Sequence, residues 1–259
     1  MATITAAKAG NWSDTTVWNG GVVPGNGDTA DFNGFVIAMD IATIPASGTL
    51  LEIRSPAKVG QLTIALNALA NRVINATTIT PGTVGATGFI RVNDTTTNSL
   101  TINGNTESGP SVGIYRNSNG PLFINGNLTG GTGNYHYGLV NQTIGAITMI
   151  GNLTGGSGML AYGLYNTLNA PLTITGNIIG GSGLAAYGVN NAGTELITLN
   201  NCNLINGLGA VAYSGIPPTG WNINPDNYIQ WGTMKFYPAI TPLIHRGRDR
   251  FKMDGYSNQ

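Results

Sequence analysis

Apolar and small polar residues alternate in a six-residue unit that recurs along the second half of the chain. The copies are LTINGN from Leu100, LFINGN from Leu122, ITMIGN from Ile147, LTITGN from Leu172 and ITLNNC from Ile197. The first and third side chains of every copy are Leu, Ile or Met, a period of two that predicts a strand with one buried face. Ile and Thr suit a pleated, half-buried surface. The copies end at Asn105, Asn127, Asn152, Asn177 and Cys202, spaced by 22 residues once and by 25 three times. A fixed period in this range predicts a solenoid.

The match continues between the anchors. GNLTGGTG (126 to 133), GNLTGGSG (151 to 158) and GNIIGGSG (176 to 183) are followed by Tyr137-Gly138-Leu139, Tyr162-Gly163-Leu164 and Tyr187-Gly188-Val189. No stretch inside the repeat keeps helical spacing, and Gly-Gly and Gly-Ser-Gly interrupt it with tight corners, which excludes leucine-rich, ankyrin and tetratricopeptide arrays. The expected fold is all-β: a single-stranded parallel β-helix with turns of about 25 residues, each strand pairing with its copy in the next turn about 4.8 Å away. In that geometry Asn105, Asn127, Asn152 and Asn177 stack as a structural ladder, each side-chain amide bonded to the next.

Four segments are expected: an N-terminal cap over 1 to 40, irregular early turns over 41 to 99, regular repeats over 100 to 216, and a C-terminal cap or attachment arm over 217 to 259. In the irregular segment, strands are expected at 50 to 55, 62 to 66, 73 to 79 and 89 to 93, with NALANR (67 to 72) readable as a helical turn or a loop.

Composition narrows the function. The chain has 39 glycines, 8% charged residues and a formal net charge of zero. Between Leu100 and Pro225 the only charged side chains are Glu107, Arg116 and Glu195, so the summed field gives nucleic acid or an anionic membrane no reason to bind. Cys202 is the single cysteine, which excludes an internal disulfide and reads as a packed thiol. The start, MATITAAKAGNW, has no apolar run of a secretory signal, and no later stretch is long and apolar enough to span a bilayer. The expected setting is therefore a virion, assembled in the host cytoplasm.

Residues 10 to 40 read GNWSDTTVWNGGVVPGNGDTADFNGFVIAMD. Gly10-Asn11-Trp12-Ser13-Asp14, Trp18, Gly20-Gly21, Val23-Pro24, Gly27-Asp28 and the strand ending at Asp40 resemble the opening of the eight-glycine extracellular domain of β-helical surface proteins. They are also similar to N-terminal segments of phage structural proteins. The resemblance covers about 30 residues and implies β-helical architecture. It carries no active-site residue over, because no segment here matches the hyaluronan-degrading regions that accompany some relatives. Physically, Trp12 and Trp18 read as capping residues over the first turn, since an uncovered turn is an exposed sheet edge.

The far end changes character. Aromatics, prolines and five of the eleven basic residues gather after the last repeat, the latter being Lys235, Arg246, Arg248, Arg250 and Lys252. They mark a cap, or an attachment arm for an acidic neighbour or another subunit. Interleaved Asp249 and Asp254 make the segment too mixed for nucleic acid.

Enzyme chemistry finds little support. Glycosidases need two carboxyl groups about 5 to 9.5 Å apart, whereas Glu107 and Glu195 fall about four turns from each other. Asp28, Asp31 and Asp40 sit in tight loops, where an aspartate usually bonds nearby backbone. His136 and His245 are far apart, no metal-ligand or nucleotide-loop spacing is present, and no cofactor or metal is expected. The leading expectation is a non-enzymatic structural protein of a tailed-phage virion, a capsid decoration or head-fibre protein, trimeric and in contact with the major capsid protein. The alternative is a tail fibre or spike that binds host glycan on Tyr135, Tyr137, Tyr162, Tyr165 and Tyr187. A bacterial surface β-helix is a third.

Overall fold

The computed structural model describes residues 1–56, 60–64, 71–80, 88–93, 97–109, 112–133, 136–183, 186–195 and 197–200, and the backbone of five short strands beyond them. The chain is an all-β parallel solenoid. One sheet stacks nine short strands, from Gly10–Asn11 through Val36–Met39, Gln61–Ile64, Ile90–Val92 and Ile114–Arg116 to Tyr213–Gly215, every neighbour parallel. The facing sheet holds the predicted repeat strands, among them Leu100–Glu107, Leu122–Asn125, Ile147–Ile150, Leu172–Thr175 and Ile197–Asn200. The described residues contain no α-helix; two three-residue 3-10 turns, Thr15–Val17 and Asn19–Gly21, lie near the start.

Register follows the sequence repeat. Leu100 pairs with Leu122, Leu122 with Ile147, Ile147 with Leu172 and Leu172 with Ile197. Period two turns these residues inward together with Ile102, Ile124, Met149, Ile174 and Leu199, and all ten are buried. Each buried side chain of this size is worth about 1.5–3 kcal/mol, so stacked columns rather than local propensity hold coils whose strands are mostly two to four residues long. The single 22-residue spacing is absorbed in one loop: Glu107 aligns with Thr129 and Ile114 with Leu139, so the intervening stretch is three residues shorter in the earlier coil.

Each repeat strand ends at a glycine corner. Gly104, Gly126, Gly151 and Gly176 have φ of 145°, 156°, 142° and 136°. A Cβ on Gly126, Gly151 or Gly176 would lie 2.1–2.2 Å from the carbonyl oxygen of the corner glycine one coil earlier. The corner thus needs glycine both for torsion and for space. Beyond it a second short strand runs, Leu128–Thr129, Leu153–Thr154 or Ile178–Ile179, in parallel register with its neighbours.

The two ends differ. Residues 1 to 40, expected as a cap, contribute strands to both sheets: Thr3–Thr5 pairs with Thr29–Asp31, and Gly10–Asn11 with Val36–Met39. The 3-10 turns close the core below them. Trp12 and Trp18 are buried, with ring centroids 5.1 Å apart and edge to face, and Phe32 and Phe89 continue the aromatic core into the next coils. At the far end Ile229–Trp231 still pairs in parallel with Leu204–Ile205, after which Met234–Tyr237 and Lys252–Met253 add antiparallel strands. In the irregular region the strands among the described residues are Thr43–Ile44, Leu50–Arg54, Gln61–Ile64, Arg72–Thr80 and Ile90–Val92; residues 67 to 70 lie outside the described residues.

Candidate functional site

The polar side chains with the most organised geometry form ladders along the solenoid axis. In the expected column, Oδ1 of Asn105 accepts the backbone N–H of Asn127 at 2.9 Å, Oδ1 of Asn127 that of Asn152 at 2.8 Å, and Oδ1 of Asn152 that of Asn177 at 3.0 Å. The four residues stack in register, but through side chain to main chain, and not amide to amide as the repeat suggested. The physical reason is the corner glycine before each asparagine: the bend lifts the next coil's N–H out of strand pairing, and the carboxamide oxygen fills the vacancy.

Amide-to-amide bonding runs in two other columns. On the outer face Nδ2 of Asn103 donates to Oδ1 of Asn75 at 2.8 Å, and Nδ2 of Asn125 to Oδ1 of Asn103 at 2.7 Å. Inside the solenoid Nδ2 of Asn141 donates to Oδ1 of Asn166 at 2.7 Å, and Nδ2 of Asn166 to Oδ1 of Asn191 at 2.8 Å. These three interior residues are at most 2% exposed. Each also donates to a carbonyl of its own corner, that of Thr143, Leu168 or Glu195. Sequence reasoning missed this column, although Asn141, Asn166 and Asn191 recur every 25 residues two positions after an inward Leu or Val.

Arg116 begins the same interior column, aligned with Val92 below and Asn141 above. It is 2% exposed, and its Nη1 donates to Oδ1 of Asn141 and to the carbonyls of Gly145 and Ala146 at 3.1–3.4 Å. Burial pushes its pKa down to about 10. Where each asparagine holds its own corner, the longer arginine holds the corner of the coil above.

The tyrosines form a spine. Tyr137 stacks on Tyr162 and Tyr162 on Tyr187, with centroids 5.2 and 5.5 Å apart and ring planes within about 21°. Tyr165 leans on both Tyr137 and Tyr162. Their faces are turned toward one another. Tyr135 lies outside the described residues.

No protein-family model matches this chain, and no curated protein or solved structure does either.

The N-terminal carboxylates are tied to the fold. Asp14 accepts the backbone N–H and the hydroxyl of Thr16, which lower its pKa. Asp28 accepts the N–H groups of Ala2 and Gly25, and those bonds lower its pKa likewise. Asp31 accepts the N–H of Asn33 and pairs with Arg54 at 3.4 Å, while both oxygens of Asp40 accept from Ser13. A groove of about 350 Å³ near this end is walled by Trp12, Val23, Pro24, Ile41 and Pro45, with no titratable side chain in its lining.

Among the described residues no group of three or more His, Cys, Asp or Glu is placed to hold a metal, and no helix is long and apolar enough to cross a membrane. His136 is partly buried in the loop before the tyrosine spine, and that burial lowers its pKa. At the C-terminus the backbones of Lys235 and Lys252 lie in the antiparallel strands; Arg246, Arg248, Arg250, His245 and Cys202 lie outside the described residues.

Proposed function

We propose that this chain is a non-enzymatic structural component of a tailed-phage virion, mounted on the head as a capsid decoration or head-fibre protein. The observation that carries the reading is the use of its polar groups. Asparagine oxygens and amides bond the next coil, and the aspartates of residues 10 to 40 bond nearby backbone, hydroxyl or guanidinium groups. Side chains that would do chemistry in a β-helical enzyme here hold coils together. The result is a short, stiff, nearly uncharged rod suited to a particle surface, where rigidity matters and a strong field would attract unrelated partners. The N-terminal likeness to the eight-glycine extracellular domain and to phage structural proteins supports the same setting.

The rod is a homo-oligomer in this reading, a trimer, with the major capsid protein as its other partner. Phe123 and Ile150 are 38% and 56% exposed on the outer face of the repeat sheet and offer apolar surface for lateral contact. The cations Lys235, Arg246, Arg248, Arg250 and Lys252 supply the attachment arm. Host-glycan binding by a tail fibre is less favoured. Sugar rings stack on aromatic faces, and stacking along the column covers both faces of Tyr162 and one face each of Tyr137 and Tyr187.

Immunogold labelling of purified virions with an antibody to this chain tests the proposal, with uninfected cells as control. Label over heads is the expected result. Label confined to tails would replace the decoration role with host recognition, and label on uninfected cells would overturn the phage reading.

A further inference from the structure

The described residues contain six Asn-Gly pairs, at Asn19, Asn26, Asn33, Asn103, Asn119 and Asn125. Such a pair is chemically labile. The glycine amide nitrogen can attack the asparagine Cγ because no Cβ obstructs the approach and the glycine torsions are free. For the ring to close, that nitrogen has to leave any hydrogen bond it makes, and the carboxamide has to turn toward it.

Five of the pairs are restrained. After Asn119 the buried Gly120 donates its N–H to Oγ of Ser118 at 3.3 Å. Asn103 is held on both sides, donating to Asn75 and accepting from Asn125. Asn125 donates to Asn103, and the N–H of Gly126 is bonded to the Ile150 carbonyl at 2.9 Å. Asn26 accepts from the N–H of Thr49, while the N–H of Gly27 donates to the Thr49 carbonyl. Asn33 donates to the Ala6 carbonyl at 3.4 Å, and the N–H of Gly34 donates to Oγ of Ser55 at 3.0 Å.

The remaining pair has neither restraint. Asn19 and Gly20 are both exposed, and neither the Asn19 side chain nor the Gly20 N–H makes a hydrogen bond. They lie in the short 3-10 turn Asn19–Gly21, where Gly20 departs from helical torsions with φ 83° and ψ 0°. No atom outside its chain neighbours approaches within 4 Å of where a Gly20 Cβ would stand.

We propose that Asn19 is the site of spontaneous deamidation in the folded protein, a covalent age mark confined to the first coil. The Gly20 nitrogen loses its proton to solvent base and bonds to Cγ of Asn19; the Cγ–Nδ2 bond breaks and ammonia leaves with a proton from solvent. Water then opens the five-membered imide at one of its two carbonyls, giving aspartate or isoaspartate at position 19. No oxidant, metal or second protein is required. The product adds a negative charge beside Trp18 at the closed end of the core and leaves the asparagine ladders intact.

The test is peptide mapping by mass spectrometry of the full chain, incubated folded in mildly alkaline buffer and, in parallel, in urea. In the folded sample Asn19 converts at least about fivefold faster than the other five, the factor expected when closure elsewhere must first break one hydrogen bond of about 1 kcal/mol. In urea the six converge, because their local sequences all offer an unhindered glycine. In the folded Asn19→Gln variant, isoaspartate formation falls to the background of the other sites. The proposal is overturned if Asn103, Asn119, Asn125, Asn26 or Asn33 converts as fast as Asn19 in the folded chain, or if the ranking persists in urea.

Discussion

The side-chain amide of Asn141 donates to Oδ1 of Asn166 at 2.7 Å in the interior of the solenoid, where both residues are fully buried. A carboxamide has one donor group and one acceptor, so a column of them in a parallel stack can satisfy itself from coil to coil. Such a network is stabilising only while every member is present.

Asn166→Leu breaks it in the middle. Inside the core Oδ1 of Asn191 loses its donor and Nδ2 of Asn141 loses one of its two acceptors, while the Leu168 carbonyl keeps the N–H of Ala170. One buried acceptor and one buried N–H left unsatisfied cost about 3 kcal/mol together. Asn127→Ala removes a bond of similar length to the Asn152 N–H, but on an exposed edge where water substitutes, so its cost is about 1 kcal/mol or less. Urea midpoints of the two variants compare them directly. Equal losses would show that the interior column is no stronger a brace than the surface one.

The glycine corners make a steric prediction. Gly151→Ala places a methyl group 2.2 Å from the Gly126 carbonyl oxygen at a φ of 142°. The neighbouring coil has to move, and the expected loss is about 2–4 kcal/mol. Gly20→Ala meets no atom and carries only the torsional penalty of φ 83°, about 1 kcal/mol. Thermal unfolding of both variants checks the ranking; a milder effect at position 151 would mean that the coils are not in the close contact described.

These contrasts show what the sequence disclosed. The period, the strand faces and the corner glycines were readable because a β-helix repeats one geometry and each coil imposes the same steric demand on the next. The interior asparagines were legible in principle: Asn141 is two residues after Leu139, Asn166 two after Leu164 and Asn191 two after Val189, so parity alone turns them inward. They escaped notice because a polar residue at a strand end is ordinarily taken as solvated. Arg116 hides for the same reason, although it follows Ile114 by two. The bonding mode of Asn105, Asn127, Asn152 and Asn177 was beyond reach, since repeat spacing fixes which residues align but not whether an amide meets its neighbour's side chain or its backbone.

Acid should loosen the first coil before the repeats. Asp28 is held below its ordinary pKa of 3.8 by the N–H groups of Ala2 and Gly25. A carboxylate with a depressed folded pKa contributes stability that is present above its unfolded pKa and is lost as pH falls through the folded value. The window therefore lies below about pH 3.8. Hydrogen exchange, corrected for intrinsic rates, is expected to show protection of Thr3–Thr5 falling in that window while Leu172–Thr175 stays protected. Asp28→Asn is expected to flatten the pH dependence and lower protection at neutral pH. Unchanged exchange in the first strand down to pH 2 would remove Asp28 from this role.

The last prediction concerns the C-terminal arm. Met234–Tyr237 and Lys252–Met253 run antiparallel at the end of a stack otherwise built in parallel. Antiparallel pairing stops propagation of the parallel repeat. Deleting 244 to 259 removes the strand Lys252–Met253 together with Arg246, Arg248, Arg250 and Lys252, and keeps the sequence of every inward column from Leu100 to Leu199. The truncated chain should retain its β-sheet circular dichroism and a melting temperature within a few degrees of the full chain, since about 1 kcal/mol shifts a domain of this size by roughly 2–4 °C. In the decoration reading it should also fail to join particles, which cosedimentation with purified heads measures. A folded truncated chain that still sediments with heads would move the attachment site to the N-terminal coils or to the face carrying Phe123 and Ile150.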